Sequence, residues 1–270
     1  MDSLANIKHL ILDMDGVLYR GKEPMPRLQE FFAFLRRQHI NFILMTNNAT
    51  RTPEERADQL ASMGAQVSPS EILVSGQAVA RYLRRDYPAG TRVHVFGMPS
   101  LRQALMEEGF VIADDDVKVV VASVDREVNF EKIKIASRLI QGGARFLATN
   151  LDPNIPSEEG LLPGTGAMVA MLAAASGVTP TGVGKPEPIM YELAMAQMDA
   201  RPETTAAVGD RVMTDIVGGK RAGLTTICVL SGASDRAEAE AAGADFIFDD
   251  IGRLLDAWRA ALAKGDPVRA

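Results

Sequence analysis

Short apolar runs recur along the chain, and several of them end in polar residues. The first run, residues 9–12, leads directly into Asp13-Met14-Asp15-Gly16. An apolar run of this length with charge only at its exit predicts a buried strand of a parallel sheet. In open α/β sheets, ligands bind outside the carboxyl ends of the strands. We therefore expect Asp13 and Asp15 to lie where chemistry takes place.

Helical spacing of apolar positions and capping signals predict helices between these runs. One amphipathic pattern begins at Leu28, and residues 52–55, Thr-Pro-Glu-Glu, form a helix start with a capping box. Ser75 is expected to cap the next helix. The stretch 149–166 is rich in glycine and proline and predicts a long loop. Strands that alternate with helices predict an α/β fold with a doubly wound, mostly parallel sheet.

The composition argues against several classes of protein. The 270 residues are 47% hydrophobic and 24% charged, as in ordinary globular domains, and the net charge of -6 offers no basic surface for nucleic acid. The single cysteine, Cys228, excludes an internal disulfide and suits a reducing cytoplasm. No apolar run reaches the ~18 residues of a membrane span, and Asp13 interrupts the apolar stretch near the start, so we expect no membrane segment and no signal peptide.

Acidic side chains recur at the exits of the predicted strands. They are Asp13, Asp15, Asp210 and Asp215. If these exits converge, up to four negative charges share one crevice, which requires a cation. Oxygen ligands without histidine or thiolate select a hard ion, and Mg²⁺ fits them best. The sequence therefore predicts a magnesium site.

Other strand exits and loops supply groups that suit an anion. Thr46 offers a hydroxyl, and Asn47 and Asn48 follow it at a turn with backbone N–H groups. Lys185 adds a positive charge between Gly184 and Pro186. A hydroxyl, N–H donors, a lysine and Mg²⁺ together suit a phosphate dianion.

In this order and these contexts, the motifs at 13–16, 46–48, 184–186 and 209–215 resemble those of the haloacid dehalogenase-like (HAD) hydrolase superfamily over nearly the whole chain. The match is closer to subfamily IIA, the NagD and p-nitrophenyl phosphatase-like group. Three further stretches are similar to that group: 148–153, 163–166 and 183–188. The resemblance implies a Rossmann-like HAD core over 1–80 and 181–270, and an inserted α/β cap domain of the C2 type over 81–180.

The resemblance also implies catalytic roles. Asp13 is expected to be the nucleophile that forms an aspartyl-phosphate. Asp15 is expected to protonate the leaving alcohol and then to activate water. Thr46 would hold phosphoryl oxygens, and Lys185 would neutralise charge on both Asp13 and the phosphoryl group.

Metal and substrate contacts follow from the same resemblance. Asp210 would ligate Mg²⁺ together with the Asp13 carboxylate and the Asp15 backbone carbonyl. Asp215 acts either at the metal, directly or through water, or only as a first-turn acid favoured by the helix dipole. At the cap, two residues after a predicted strand, Asn150 and Asp152, are expected to bind the substrate, although ordinary turn polarity would also explain them. Asn47 and Asn48 join Thr46 and Lys185 as expected substrate-binding residues.

The sequence thus predicts a cytoplasmic, Mg²⁺-dependent phosphatase for small phosphate monoesters, without nucleic-acid or membrane partners. A cap over the crevice leaves room only for small molecules. The alternatives are a phosphomutase or a dehalogenase on the same scaffold, or a catalytically silent binding protein. Asp15 and Asp210 argue against dehalogenation, which needs neither metal nor a second acid. The natural substrate stays open, and a homodimer is suggested only by relatives with this cap, which often pair.

Overall fold

The computed structural model describes residues 4–157 and 160–265, and the chain divides into two compact units. The first unit comprises Met1–Thr46, Glu54–Leu73 and Tyr191–Ala270, and the second comprises Asn47–Pro53 and Val74–Met190. The division of labour into a catalytic core and a cap, with the boundaries expected from the sequence, stays a prediction.

Strands and helices alternate along the described chain. The strands are β1 (His9–Leu12), β2 (Tyr19–Arg20), β3 (Glu23–Pro24), β4 (Asn41–Thr46), β5 (Ile72–Val74), β6 (Arg92–Phe96), β7 (Val111–Ile112), β8 (Val119–Ala122), β9 (Arg145–Ala148), β10 (Asn154–Ser157), β11 (Gly160–Pro163), β12 (Thr181–Gly182), β13 (Thr205–Gly209), β14 (Thr225–Val229) and β15 (Phe246–Phe248). The α-helices are α1 (Leu28–Arg37), α2 (Pro53–Ser62), α3 (Ser75–Arg84), α4 (Pro99–Glu107), α5 (Phe130–Gln141), α6 (Thr165–Ser176), α7 (Pro188–Met198), α8 (Val217–Arg221), α9 (Arg236–Ala241) and α10 (Ile251–Gly265).

The first unit is built on a sheet with the strand order β15-β14-β13-β1-β4-β5. β1 pairs in parallel with both β13 and β4, and Leu12 lies opposite Val208 and Leu44. Leu12 and its neighbours in β1 are almost fully buried, because helices cover both faces of such a sheet. Since parallel strands end at the same edge, the residues that follow β1, β4 and β13 are brought to one side of this sheet.

The second unit contains its own sheet, ordered β12-β9-β8-β6-β7, with parallel pairing throughout. Helices α5 and α6 supply apolar side chains to its core, among them Ile140 and Leu172. The prediction of a structureless loop over 149–166 is wrong in part, because β10 and β11 pair there as an antiparallel hairpin. The strand β11 is exposed along its length, so burial left no apolar pattern that would reveal it.

The two parallel sheets with flanking helices confirm the predicted α/β class. Within the described ranges, none of the helices has the length and apolar character needed to cross a bilayer.

Candidate active site

Three carboxylates meet at the carboxyl edge of the first unit's sheet. Asp13, Asp210 and Asp215 each place an oxygen so that all three atoms lie within 4.8 Å of one another. Asp13 follows β1, and its backbone N–H continues the ladder to the Val208 carbonyl at 2.9 Å. Asp210 and Asp215 are buried, and Asp13 is half-buried. This set of oxygen donors fits a hard divalent cation such as Mg²⁺.

The loop after β14 holds Asp210 in place. The Asp210 carboxylate accepts the Ala233 N–H at 2.8 Å, and its carbonyl accepts the Ser234 N–H at 3.0 Å. Gly16 and Gly232 both pack directly against the Asp210 carboxylate, because a Cβ built on either glycine would overlap it. The conformation of Asp210 is therefore fixed from two sides.

Asp215 lies in a single turn of π-helix, Val212–Ile216, that precedes α8. Its carboxylate accepts the Arg211 N–H at 3.1 Å, which closes this turn. The Tyr191 hydroxyl donates to the carbonyls of Thr214 and Asp215, at 3.1 and 3.2 Å. Single π-helical turns of this kind are frequent at functional sites.

Asp15 is exposed, whereas Met14 between the two aspartates is fully buried. Met14 therefore faces the core, and the aspartates on either side of it are less buried. The chain then folds back on itself. Asp15 and Tyr19 form an isolated β-bridge, and the Gly16 N–H donates to the Tyr19 carbonyl at 2.8 Å. Burial, and next the negative charge of Asp15, raises the pKa of the Tyr19 phenol, so its hydroxyl stays protonated.

Thr46 ends β4 at the same sheet edge and is buried. The residues after it belong to the second unit. The Asn48 side-chain oxygen accepts the Thr50 N–H at 3.1 Å and the Thr50 hydroxyl at 2.6 Å. This Asx turn uses the Asn48 side chain within its own loop.

Four of the predicted residues meet within the second unit. The Asn47 side-chain oxygen accepts the Lys185 N–H at 2.8 Å, and the Asn47 amide nitrogen donates to the Lys185 carbonyl at 2.9 Å. The same nitrogen donates to the Asp152 carboxylate at 2.9 Å. Asn150 donates to the Asn47 carbonyl at 2.8 Å. Lys185 itself is buried, with 3% of its surface exposed.

Sequence reasoning missed two features of the first unit. The Ser231 hydroxyl donates to the Gly16 carbonyl at 2.6 Å, from the loop that also holds Asp210. The signal was present, because an apolar run ends at Ser231-Gly232 as it does at the other strand exits. The buried Arg56 donates to the Tyr19 hydroxyl at 3.3 Å, and no local pattern reveals this contact.

Comparison with known proteins identifies the family. A family model described as haloacid dehalogenase-like hydrolase matches residues 10–111, and a HAD-hydrolase-like model matches residues 182–254. The acid sugar phosphatase of Staphylococcus saprophyticus is 34% identical over 255 residues, which cover 93% of this chain and 98% of that protein. The chain belongs to the haloacid dehalogenase-like hydrolases.

Solved structures of HAD hydrolases resemble it closely. NagD from E. coli shares 34% identity with a TM-score of 0.86, covering 91% of this chain and 97% of NagD. A glycerol phosphate phosphatase from Mycobacterium tuberculosis, in complex with magnesium, shares 31% identity with a TM-score of 0.87, covering 94% of this chain and 78% of that one.

These likenesses confirm the predicted HAD superfamily, its NagD-like subfamily and the α/β fold class. The prediction of a phosphoric monoester hydrolase is confirmed as well. The roles of the individual residues stay predictions.

Proposed function

We propose that this HAD hydrolase is a Mg²⁺-dependent phosphatase that cleaves small phosphate monoesters by transferring the phosphoryl group to Asp13. The observation that carries this proposal is the meeting of three carboxylate oxygens, from Asp13, Asp210 and Asp215, within 4.8 Å. Carboxylates at such distances repel one another unless a cation or a proton intervenes. Oxygen donors alone favour Mg²⁺, the metal named in the related glycerol phosphate phosphatase structure.

The metal ligands in this proposal are the carboxylates of Asp13, Asp210 and Asp215 together with the backbone carbonyl of Asp15. When bound, Mg²⁺ neutralises charge on the phosphoryl oxygens and so lets a carboxylate approach phosphorus. The protein's part is to hold its ligands rigid. Asp210 is held by the Ala233 N–H, and Asp215 by the Arg211 N–H.

Two proton-balanced steps follow from the two aspartates of the first motif. In the first, the Asp13 carboxylate attacks phosphorus, the bond from phosphorus to the leaving alkoxide breaks, and Asp15 gives its proton to that oxygen. In the second, the Asp15 carboxylate takes a proton from water, the water oxygen attacks phosphorus, and the Asp13 carboxylate is released with inorganic phosphate. Asp15 is exposed, which allows exchange of its proton with solvent.

Thr46 and Lys185 are proposed to stabilise the charge on the transferring phosphoryl group through their hydroxyl and ammonium groups, aided by backbone N–H groups after Thr46. Both residues are buried, at 4% and 3% exposure. Electrostatic stabilisation is strongest where water is excluded and donors are fixed before the reaction.

For the substrate class, we propose small phosphorylated sugars and polyols. The support is the naming of two relatives, an acid sugar phosphatase and a glycerol phosphate phosphatase. The test is a panel of sugar phosphates, glycerol phosphates, nucleoside monophosphates and an aryl phosphate, assayed for phosphate release with Mg²⁺ and with a chelator. Failure to release phosphate from any member would favour the silent binding protein, and phosphate recovered on a sugar product would indicate a phosphomutase.

The variant that tests the nucleophile is Asp13→Asn. We expect turnover to fall by at least about 10³-fold, because removal of a covalent nucleophile leaves only binding and electrostatic effects. Far-ultraviolet circular dichroism should show an unchanged fold. Turnover at the wild-type rate would remove Asp13 from this role.

A cytoplasmic location is proposed on the single, buried Cys228, which suits a reducing compartment. A homodimer stays a prediction, and light scattering of the purified protein would decide it.

A further inference from the structure

We infer that Asn47 is a positioning residue for Lys185, and that Asp152 and Asn150 hold Asn47 in place. On this reading the three residues act on the reaction through the lysine rather than by binding substrate. The inference rests on the proposed role of Lys185 at the phosphoryl group.

The Asn47 carboxamide forms two hydrogen bonds to the backbone of a single residue 138 positions away. It accepts the Lys185 N–H at 2.8 Å and donates to the Lys185 carbonyl at 2.9 Å. This reciprocal pair of hydrogen bonds fixes both the position of the Lys185 backbone and the direction of the Lys185 Cα–Cβ bond. Because a lysine side chain is long and flexible, its ammonium group can be placed reproducibly only if the backbone that carries it is fixed.

Asp152 determines which way the Asn47 amide faces. The second N–H of the Asn47 amide nitrogen donates to the Asp152 carboxylate at 2.9 Å. With the amide reversed, an oxygen would face both the carboxylate and the Lys185 carbonyl, which is repulsive. Both N–H groups of Asn47 are thus used by protein acceptors, and a substrate oxygen would have to displace one of them.

Asn150 anchors the backbones of both partners. Its amide nitrogen donates to the Asn47 carbonyl at 2.8 Å, and its oxygen accepts the Asp152 N–H at 3.0 Å. The Ser75 hydroxyl also donates to the Asn47 carbonyl, at 2.6 Å. Asn150 is buried at 5% exposure, whereas Asn47 and Asp152 are half-buried, so its side chain is the shielded partner in these bonds and a bond lost there is costly.

Gly184 shows how closely the chain before Lys185 is packed. A Cβ on Gly184 would lie 2.5 Å from the Asn47 side-chain oxygen and 3.0 Å from the Asn150 Cβ. The Gly184 N–H donates to the Thr149 carbonyl at 2.9 Å. The backbone at 184–185 is therefore held from the β9 side and from the Asn47 side at once.

The test is a double-mutant cycle on aryl phosphate hydrolysis at saturating Mg²⁺, with Asn47→Ala, Lys185→Met and the double variant. When a group that stabilises the transition state is displaced by about 1 Å, the rate falls roughly 10²-fold. We therefore expect Asn47→Ala to lower kcat by about 10- to 100-fold and to leave KM within about threefold of the wild-type value. In the Lys185→Met background the same change should lower kcat by less than about threefold, because the group being positioned is gone.

A matched control loosens the same loop without touching Lys185. Ser100 donates its hydroxyl to the Ala49 carbonyl at 2.6 Å, and Ser100→Ala is expected to keep wild-type kinetics. A second pair of variants changes Asp152, which orients the Asn47 amide. Asp152→Asn keeps an oxygen acceptor for that amide, so it should lower kcat by less than Asp152→Ala does. This pair keeps the inference testable if Asn47→Ala does not fold, and urea unfolding of every variant checks that point.

Three results would overturn the inference. They are a rise in KM with unchanged kcat, which indicates direct substrate binding; an equal loss in both lysine backgrounds, which indicates independent action; and a wild-type kcat for Asn47→Ala. The proposed phosphatase function is judged separately, by whether the wild-type protein releases phosphate and Lys185→Met is impaired.

Discussion

Gly16 combines a left-handed backbone, with φ of +81°, and a Cβ position that overlaps the Asp210 carboxylate. We expect Gly16→Ala to lower kcat/KM by roughly 100-fold, because displacing a carboxylate of the proposed metal site by even a fraction of an ångström disturbs the geometry of that site. Gly90→Ala is the matched control: its φ is +85°, but nothing lies within 4 Å of the added Cβ. Both variants should lose about 1 kcal/mol of stability from backbone strain, and only the first should lose activity. Equal activity losses in the two would show that strain, not contact with Asp210, is the cause.

His94 is a buried histidine of the second unit. Its Nδ1 lies 2.9 Å from the Asp114 carboxylate and 3.3 Å from the Ala113 carbonyl. Burial lowers the pKa of His94, and the negative charge of Asp114 opposes this only in part.

This shift predicts a loss of stability on acidification. Because the folded pKa lies below the unfolded value of 6.5, the unfolded chain binds the proton first. The wild-type protein should therefore lose stability, relative to His94→Gln, as pH falls below about 6.5. Urea unfolding of both proteins between pH 7.5 and 5 measures the difference. A growing advantage of the wild type in acid would mean that the Asp114 contact outweighs burial.

At the scale of elements, apolar runs located the buried strands well, because a strand covered on both faces needs an unbroken apolar run. β1 falls on the predicted residues 9–12, whereas the exposed hairpin of β10 and β11 was missed. The prediction that Ser75 caps a helix is wrong. Val74 occupies the N-cap of α3, and the Ser75 hydroxyl donates to the Asn47 carbonyl instead. A capping residue finds whichever acceptor the tertiary structure brings near, and local sequence does not contain that information.

Helix α7 stabilises the π-helical turn that carries Asp215. The Tyr191 hydroxyl, fully buried, donates to the carbonyls of Thr214 and Asp215. We expect Tyr191→Phe to cost about 1–2 kcal/mol, because buried carbonyls lose their donor. If the turn then shifts, the Mg²⁺ concentration for half-maximal activity should rise as well.

Tyr82→Phe serves as the control for that variant. It removes a phenol hydroxyl that accepts from Arg145 at 2.9 Å in the second unit, so we expect a loss of stability without a change in the Mg²⁺ requirement. Identical Mg²⁺ titrations for Tyr191→Phe and the wild type would show that the hydroxyl supports the fold alone.

For the whole molecule, the sequence predicted that Asp13, Asp15, Asp210 and Asp215 converge, because they lie at strand exits and parallel strands bring their exits together. Carboxylate oxygens of three of these four, Asp13, Asp210 and Asp215, meet within 4.8 Å, and grouping them required no knowledge of side-chain contacts. The contacts of Lys185 were not predicted, since the Asn47 carboxamide that holds it comes from 138 residues away and leaves no periodic signal. The grouping of polar residues at strand ends can thus be predicted from sequence. The hydrogen bonds that orient these residues cannot, because they depend on contacts made only in the folded chain.

The same cluster predicts how metal changes the stability of the protein. Three carboxylate oxygens within 4.8 Å repel in the folded state, and this repulsion is relieved when the chain unfolds. Mg²⁺ that binds only the folded state should therefore raise the free energy of unfolding, by about 2.7 kcal/mol at 100 times its Kd. Potassium chloride of equal ionic strength is the control, since screening alone acts on all surface charges.

Asp13→Asn removes one charge from this cluster and so separates the two effects. Without Mg²⁺ the variant should be at least as stable as the wild type, because repulsion falls from three charges to two. With Mg²⁺ it should gain less, because one anionic ligand is lost. Thermal unfolding of both proteins across a Mg²⁺ titration measures this. If Mg²⁺ stabilised the two proteins equally, the stabilising ion would bind away from Asp13. The role as a metal ligand proposed for the Asp13 carboxylate would then be wrong.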